Sequence, residues 1–307
     1  MAFNLQTFKT RALSAIAFAI VMFAGLFYSE WSFLILFSFI QFGCWMEYQA
    51  LTEKIDAGYT ARNSFHKYGV IFTGWFFMVA CCSFSMVIGS FQLSVVGFWL
   101  LLISIILLPI AETLFAKNIN VKNVLYSFGG LIYISLSLGL LIDLTITSDY
   151  FPQAVAHIKG HPYTQNKQPA FWLLPVFIIL CMWVNDTMAY IVGSLIGKTP
   201  FNKISPKKTW EGTIGGAVLC VVVMGFAAIY FTADLDIHFK NYHWFIMAAI
   251  AAITGTYGDL LESKLKRLAG VKDSGNIMPG HGGFLDRFDS LLVAVPFIWL
   301  YLWLVIR

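Results

Sequence analysis

Residues 93–110 read Leu93-Ser94-Val95-Val96-Gly97-Phe98-Trp99-Leu100-Leu101-Leu102-Ile103-Ser104-Ile105-Ile106-Leu107-Leu108-Pro109-Ile110, without one charged side chain. Such a run reads as a membrane span. It is not alone: similar apolar runs cover roughly 12–28, 31–45, 68–89, 124–146, 170–196, 213–231, 244–257 and 291–306. Several fall short of the about 20 residues that cross a bilayer and are extended by semi-polar turns. The whole chain of 307 residues is 59% hydrophobic and only 12% charged, about half the charged fraction of a soluble domain. The expected fold is therefore all-α, a polytopic transmembrane helical bundle of about nine spans.

Lys and Arg set the expected orientation. Counted in alternate loops from the N-terminus, only Lys159, Lys167, Lys240 and Arg307 fall on one side, and the remaining sixteen of the twenty fall on the other. Positive charge stays on the cytoplasmic side, so this bias predicts a cytoplasmic N-terminus and an odd number of spans. The run at 12–28, behind Lys9 and Arg11, has the outline of a secretory signal. Tyr28-Ser29-Glu30-Trp31 offers no small-residue cleavage site, and the run is read as a retained first span.

Composition also excludes. A net charge of +4 with no basic stripe on a solvated domain argues against nucleic acid as a partner. Cys44, Cys81, Cys82, Cys181 and Cys220 all lie in apolar segments without ligand spacing, and read as buried filler. His157 and His161, in the loop 148–169, are separated by Gly160 and followed by Pro162, which disfavours the helix that would align them. Residues 1–165 are expected to form a scaffold of spans with little chemistry, in which Glu47, Glu112 and Asp143 take interfacial or packing roles.

Chemistry gathers in residues 166–307, the expected catalytic region. Asp186, next to Asn185, lies inside an apolar run, where a carboxylate is costly without a cation, a metal or water. Ala189, Gly193 and Gly197 recur every fourth residue on the same helix, a spacing that lets two helices approach closely. The loop Ser205-Pro206-Lys207-Lys208-Thr209-Trp210-Glu211 sets hydroxyls and ammonium groups on a Pro-fixed turn suited to a polyphosphate, with Glu211 placed to hold a metal or orient a lysine. Asp259, Glu262 and Ser263 share one helical face, and Asp286 with Asp289 repeats the three-residue spacing. Such carboxylates, converging on one cytoplasmic pocket, would suit Mg²⁺ rather than Zn²⁺. Between them lie Lys264, Lys266, Arg267 and Lys272, then the glycine-flanked His281, whose neighbours Gly282 and Gly283 let a backbone approach phosphate. Phosphoryl and nucleotidyl transfer need these parts, because that chemistry is mainly positioning and charge neutralisation.

Ser263-Lys264-Leu265-Lys266-Arg267, Lys272-Asp273-Ser274-Gly275 and Pro279-Gly280-His281-Gly282-Gly283-Phe284-Leu285-Asp286-Arg287-Phe288-Asp289 together resemble the signature of the phosphatidate cytidylyltransferases, or CDP-diacylglycerol synthases. Met278 stands where Leu, Ile or Phe is expected, a conservative departure. Asn185-Asp186 and the loop Ser205 to Gly212 also look like the family, so the resemblance covers about the last 140 residues. It implies a multi-pass enzyme of the inner membrane that joins CTP to phosphatidic acid, giving CDP-diacylglycerol and pyrophosphate. It also implies Mg²⁺, a second cation such as K⁺, and a homodimer surrounded by membrane lipids.

On this basis Asp186, Asp259, Asp286 and Asp289 are the expected metal ligands. Asp259, Asp286, Asp289, His281, Lys266 and Arg267 are expected to act in catalysis. Substrate is expected to meet Asn185, Ser205, Lys207, Lys208, Thr209, Glu211, Ser263, Lys264, Lys272, Gly282, Gly283 and Arg287. A secondary transporter binding its coupling ion at Asp186 and Asp259 is a rival, although it leaves the glycine segment and the basic loops without a role. An enzyme joining polyprenyl phosphate to a nucleotide sugar is a second, separated only by the signature itself.

Overall fold

The computed structural model describes residues 5–60, 62–115, 120–146, 170–202, 204–233, 240–275 and 282–306, with side chains from residue 16 up to 305 within them. His281 and the loop 148–169, with His157 and His161, lie outside the described residues.

The described chain is helical apart from one small hairpin, in which β1 (Val87–Ile88) pairs antiparallel with β2 (Phe91–Gln92). The helices are α1 (Leu5–Phe27), α2 (Glu30–Ile55), the single turn α3 (Ala57–Thr60), α4 (Ser64–Ala80), α5 (Leu93–Phe115), α6 (Val121–Ile146), α7 (Leu173–Ile196), α8 (Trp210–Thr232), α9 (Tyr242–Leu268) and α10 (Leu285–Ile306). A π-helical segment, Leu131–Leu136, interrupts α6. Several starts are fixed by the residue before the helix. Ser29 and Ser32 form a reciprocal cap on α2, Asn63 accepts from the His66 N–H, Asn120 from the Lys122 N–H and Thr209 from the Gly212 N–H. Each satisfies a backbone donor that the first helical turn leaves open.

Six helices among the described residues, α5 to α10, are long and apolar enough to cross a membrane. α5 shows why the surrounding medium must be lipid: only Ser94, Gly97 and Ala111 are buried, while Trp99, Ile106 and Leu107 face outward. The nine spans expected from the sequence would need α1, α2 and α4 as well. α4 has 17 residues, a length of about 26 Å at 1.5 Å per residue. α2 is buried along much of its length, with Phe37, Cys44 and Trp45 fully enclosed.

Packing divides the chain into two compact units. One comprises Met1–Gly139 and Lys264–Phe288, the other Leu140–Ser263 and Asp289–Arg307. In the first, Trp45 of α2 donates its indole N–H to Ser135 Oγ in the π-helical segment at 2.8 Å. His66 of α4 links Glu112 of α5 (3.1 Å) to Ser127 of α6 (2.7 Å), so Glu112 has a packing role.

In the second unit, α7 and α8 lie side by side along the small residues noted in the sequence. Gly193 faces Gly212, and Gly197 packs on Thr209. A Cβ on Gly216 would fall 2.6 Å from the Ala189 backbone nitrogen, so no larger residue fits while the helices stay this close. Trp299 of α10 donates to Asp143 at the end of α6 at 2.7 Å. Gly216→Val is therefore expected to cost about 1–3 kcal/mol by overpacking. A thermal melt in detergent should show a lowered midpoint, and a wild-type midpoint would contradict this account of the α7–α8 contact.

Candidate functional site

The C-terminal part of α9 changes character after Tyr257, where the apolar run gives way to Gly258-Asp259-Leu260-Leu261-Glu262-Ser263. The helix continues through this change, so Asp259 and Glu262 stay on one face, one turn apart. Asp289 of α10 is brought beside them because Gly258 has no side chain. A Cβ there would lie 2.5 Å from the Asp289 carbonyl oxygen and 2.9 Å from the Ser290 Cα. The result is a cluster in which one carboxylate oxygen from each of Asp259, Glu262 and Asp289 lies within 4.8 Å of the others. Glu262 is fully buried and Asp289 nearly so. Ser263 Oγ donates to Asp259 Oδ1 at 3.4 Å, and the Ser290 N–H to Asp289 Oδ1 at 2.6 Å.

Three carboxylates this close repel by about 3–4 kcal/mol per ionised pair at an effective dielectric near 20. They require protons or a cation. Lys208 supplies one positive charge, its ammonium group paired with Asp259 Oδ2. Burial lowers the Lys208 pKa, while the carboxylates of Asp186 and Asp289 pull it back up. Asp186 of α7 thus contributes its field to the same group, and the structure brings Asp186, Lys208, Asp259, Glu262 and Asp289 together. Asn185, the neighbour of Asp186, is buried, and its carboxamide oxygen has no hydrogen-bond partner among the described residues. An all-oxygen set of three carboxylates fits a hard divalent cation such as Mg²⁺ far better than Zn²⁺.

Lys208 is delivered by a closed loop between α7 and α8. The Phe201 N–H donates to the Lys208 carbonyl at 2.8 Å, and the Trp210 N–H to the Thr199 carbonyl at 2.9 Å. The Lys208 N–H turns back onto the Ser205 carbonyl at 3.1 Å. Glu211 ties the loop at its base, accepting the N–H groups of Lys198 and Thr199 at 3.1–3.2 Å and the Thr199 hydroxyl at 2.8 Å. Its carboxylate is thus engaged with the loop backbone. Thr209 caps α8, Ser205 is half-buried at the turn, and Lys207 points into the open.

The other expected residues belong to the first packing unit. Asp286, in the first turn of α10, accepts from Lys266 Nζ at 2.5 Å, from the Ser274 N–H at 2.9 Å and from the Gly283 N–H at 2.8 Å. Gly282 has a φ of +83°, a left-handed turn that glycine makes without strain, and it sits against the Asp286 carboxylate. Lys264, Arg267, Lys272 and Arg287 are exposed. Glu47 of α2, for which an interfacial or packing role is expected, is buried and accepts the Ser274 hydroxyl at 2.7 Å and the N–H groups of Phe284 and Leu285 at 2.8 and 2.9 Å. No local signal announced this, because the partners lie more than 220 residues away. Glu262 was visible by its spacing to Asp259 and was left out of the expected ligands.

The Cytidylyltransferase family model matches residues 9–305. The chain belongs to that family. Among its curated relatives, a phosphatidate cytidylyltransferase of Haemophilus influenzae is 39% identical over 149 residues, covering 48% of this chain and 51% of the relative. Phosphatidate cytidylyltransferases of Staphylococcus haemolyticus and Staphylococcus epidermidis are 40% identical over 137 residues and 43% over 124. Those matches cover 44% and 40% of this chain and 50% and 46% of the relatives. The chain thus spans about half the length of the curated relatives it matches. Lys208 is the ammonium group paired with the carboxylate cluster.

Lys208→Met is expected to destabilise the metal-free protein by about 1–2 kcal/mol, since the pair is partly exposed and solvent screens it. Adding Glu262→Gln removes part of the repulsion left behind, so the double variant should regain at least half the loss in a chelator-containing thermal melt. Losses that simply add would contradict the charge balance described here.

Proposed function

We propose that this chain transfers the cytidylyl group of CTP to phosphatidic acid, giving CDP-diacylglycerol and pyrophosphate. The observation that carries the proposal is the Asp259, Glu262 and Asp289 cluster with Lys208 set against it, in a chain of the cytidylyltransferase family. The names of the matched relatives agree with it.

In the reaction, a phosphate oxygen of phosphatidic acid forms a bond to the α-phosphorus of CTP. The bond from that phosphorus to the β-bridging oxygen breaks, and pyrophosphate leaves. A phosphate monoester is nucleophilic at neutral pH, so no strong general base is needed. Asp259, Glu262 and Asp289 would hold Mg²⁺, with Asp186 adding to the field. A bound Mg²⁺ neutralises charge on the triphosphate and on the leaving group. Lys208 balances the carboxylates when nucleotide is absent and is free to turn to a phosphate when a divalent cation takes its place. Lys207, Lys264, Arg267, Lys272 and Arg287 are exposed and keep the phosphate-contact roles expected from the sequence. Asp286 and Lys266 pair with each other, Asp286 also accepts the N–H groups of Ser274 and Gly283, and both stay in the proposal in the catalytic roles expected from the sequence. His281 stays in the proposal as a phosphate contact on its sequence alone.

We place the enzyme in the inner membrane, with about nine spans, a cytoplasmic N-terminus and the loop around Lys207 on the cytoplasmic side. Support comes from the distribution of Lys and Arg. A homodimer among membrane lipids, and a second cation such as K⁺, complete the proposal.

Purified protein in detergent, given labelled CTP, phosphatidic acid and Mg²⁺, should form a lipid-soluble cytidine product. A chelator should abolish the product, and Glu262→Gln and Asp289→Asn should each lower the rate by about 10²-fold or more. A silent wild type, or full activity in Asp289→Asn, would overturn the proposal.

A further inference from the structure

Glu47 stands in the half of the sequence expected to be inert scaffold, yet it touches the glycine segment at three points. Its Oε2 accepts the Ser274 hydroxyl and the Leu285 N–H, and its Oε1 accepts the Phe284 N–H. Two of these donors open α10, where backbone N–H groups lack partners within the helix. They are normally met by a side chain just before the helix, whereas here the carboxylate comes from α2. Ser274 also lies 2.9 Å from Asp286 Oδ2, so its single hydroxyl proton is shared between the two carboxylates. The segment is shaped around Glu47. A Cβ on Gly275 or on Gly283 would fall 2.3 Å from its carboxylate oxygens. Those two glycines are therefore required by a protein carboxylate, independently of any phosphate.

We propose that Glu47 is a positioning residue: from α2 it fixes the entry to α10 and the Ser274 turn, and through them the orientation of Asp286 and its partner Lys266. Glutamine cannot replace it. One arm of the carboxamide would present N–H to a donor, and the charge that favours these contacts at a helix N-terminus would be lost.

The kinetic part of the test rests on the activity proposed above, whereas the exchange part needs no activity at all. In full-length protein without substrate, Glu47→Gln and Glu47→Ala should speed hydrogen exchange at Phe284 and Leu285 by about tenfold or more and leave α5 unchanged. In the same preparations, kcat per folded molecule should fall by about tenfold or more, KM for CTP should move less than about threefold, and Glu47→Asp should recover part of both. Faster exchange with wild-type kcat would make Glu47 a structural tie and overturn the proposal, as would unchanged exchange. A wild type without product would remove the activity and the positioning role with it, while exchange still decides whether Glu47 holds the segment. If Glu47→Ala does not fold, Gly275→Ala, which drives a methyl group into the same carboxylate, is read by the same two criteria.

Discussion

Three carboxylates held within 4.8 Å of one another, two of them buried, are the constraint to which much of the second packing unit answers. Apolar surroundings make unbalanced charge more expensive, so the repulsion needs a nearby remedy. Gly258 permits the close approach of α9 and α10 that creates the cluster. Lys208 relieves it, and the loop that carries Lys208 is closed by backbone hydrogen bonds and tied at its base by Glu211. The tight α7–α8 seam, with Gly216 against Ala189, supports that loop from below and carries Asp186 on α7. Sequence, packing and charge thus converge on one small polar region in a chain that is otherwise fit for lipid.

The first packing unit solves a different problem. Its glycine segment carries many backbone N–H groups and few side chains, and such a segment takes its shape from whatever accepts those donors. Asp286 accepts two of them from within the segment, and Glu47 accepts two more from α2. This explains why Lys264–Phe288 packs with Met1–Gly139 although it lies far from it in sequence.

How far the sequence could be read depends on the distance between partners. Helices were legible because apolar runs are local signals. The Asp259 and Glu262 face was legible for the same reason, since helical periodicity alone aligns them. Asp186 stands out in the sequence as a charge in an apolar run, but nothing local identifies Lys208 as the group its field reaches. The contacts of Glu47 were not legible because its partners at Ser274, Phe284 and Leu285 become neighbours only in the fold. Glu211 was read as a metal or lysine contact, whereas the loop backbone it accepts is a feature that residue types do not reveal.

The claim at the centre is that Asp259, Glu262 and Asp289 form one divalent-cation site for which Lys208 is the resident counter-charge. Anomalous scattering from crystals of the wild-type protein soaked in Mn²⁺ tests it most directly. The account predicts a single strong peak ligated by those three carboxylates, with the Lys208 ammonium displaced from Asp259. A peak ligated by other residues, or none at the cluster with Lys208 still on Asp259, would contradict it.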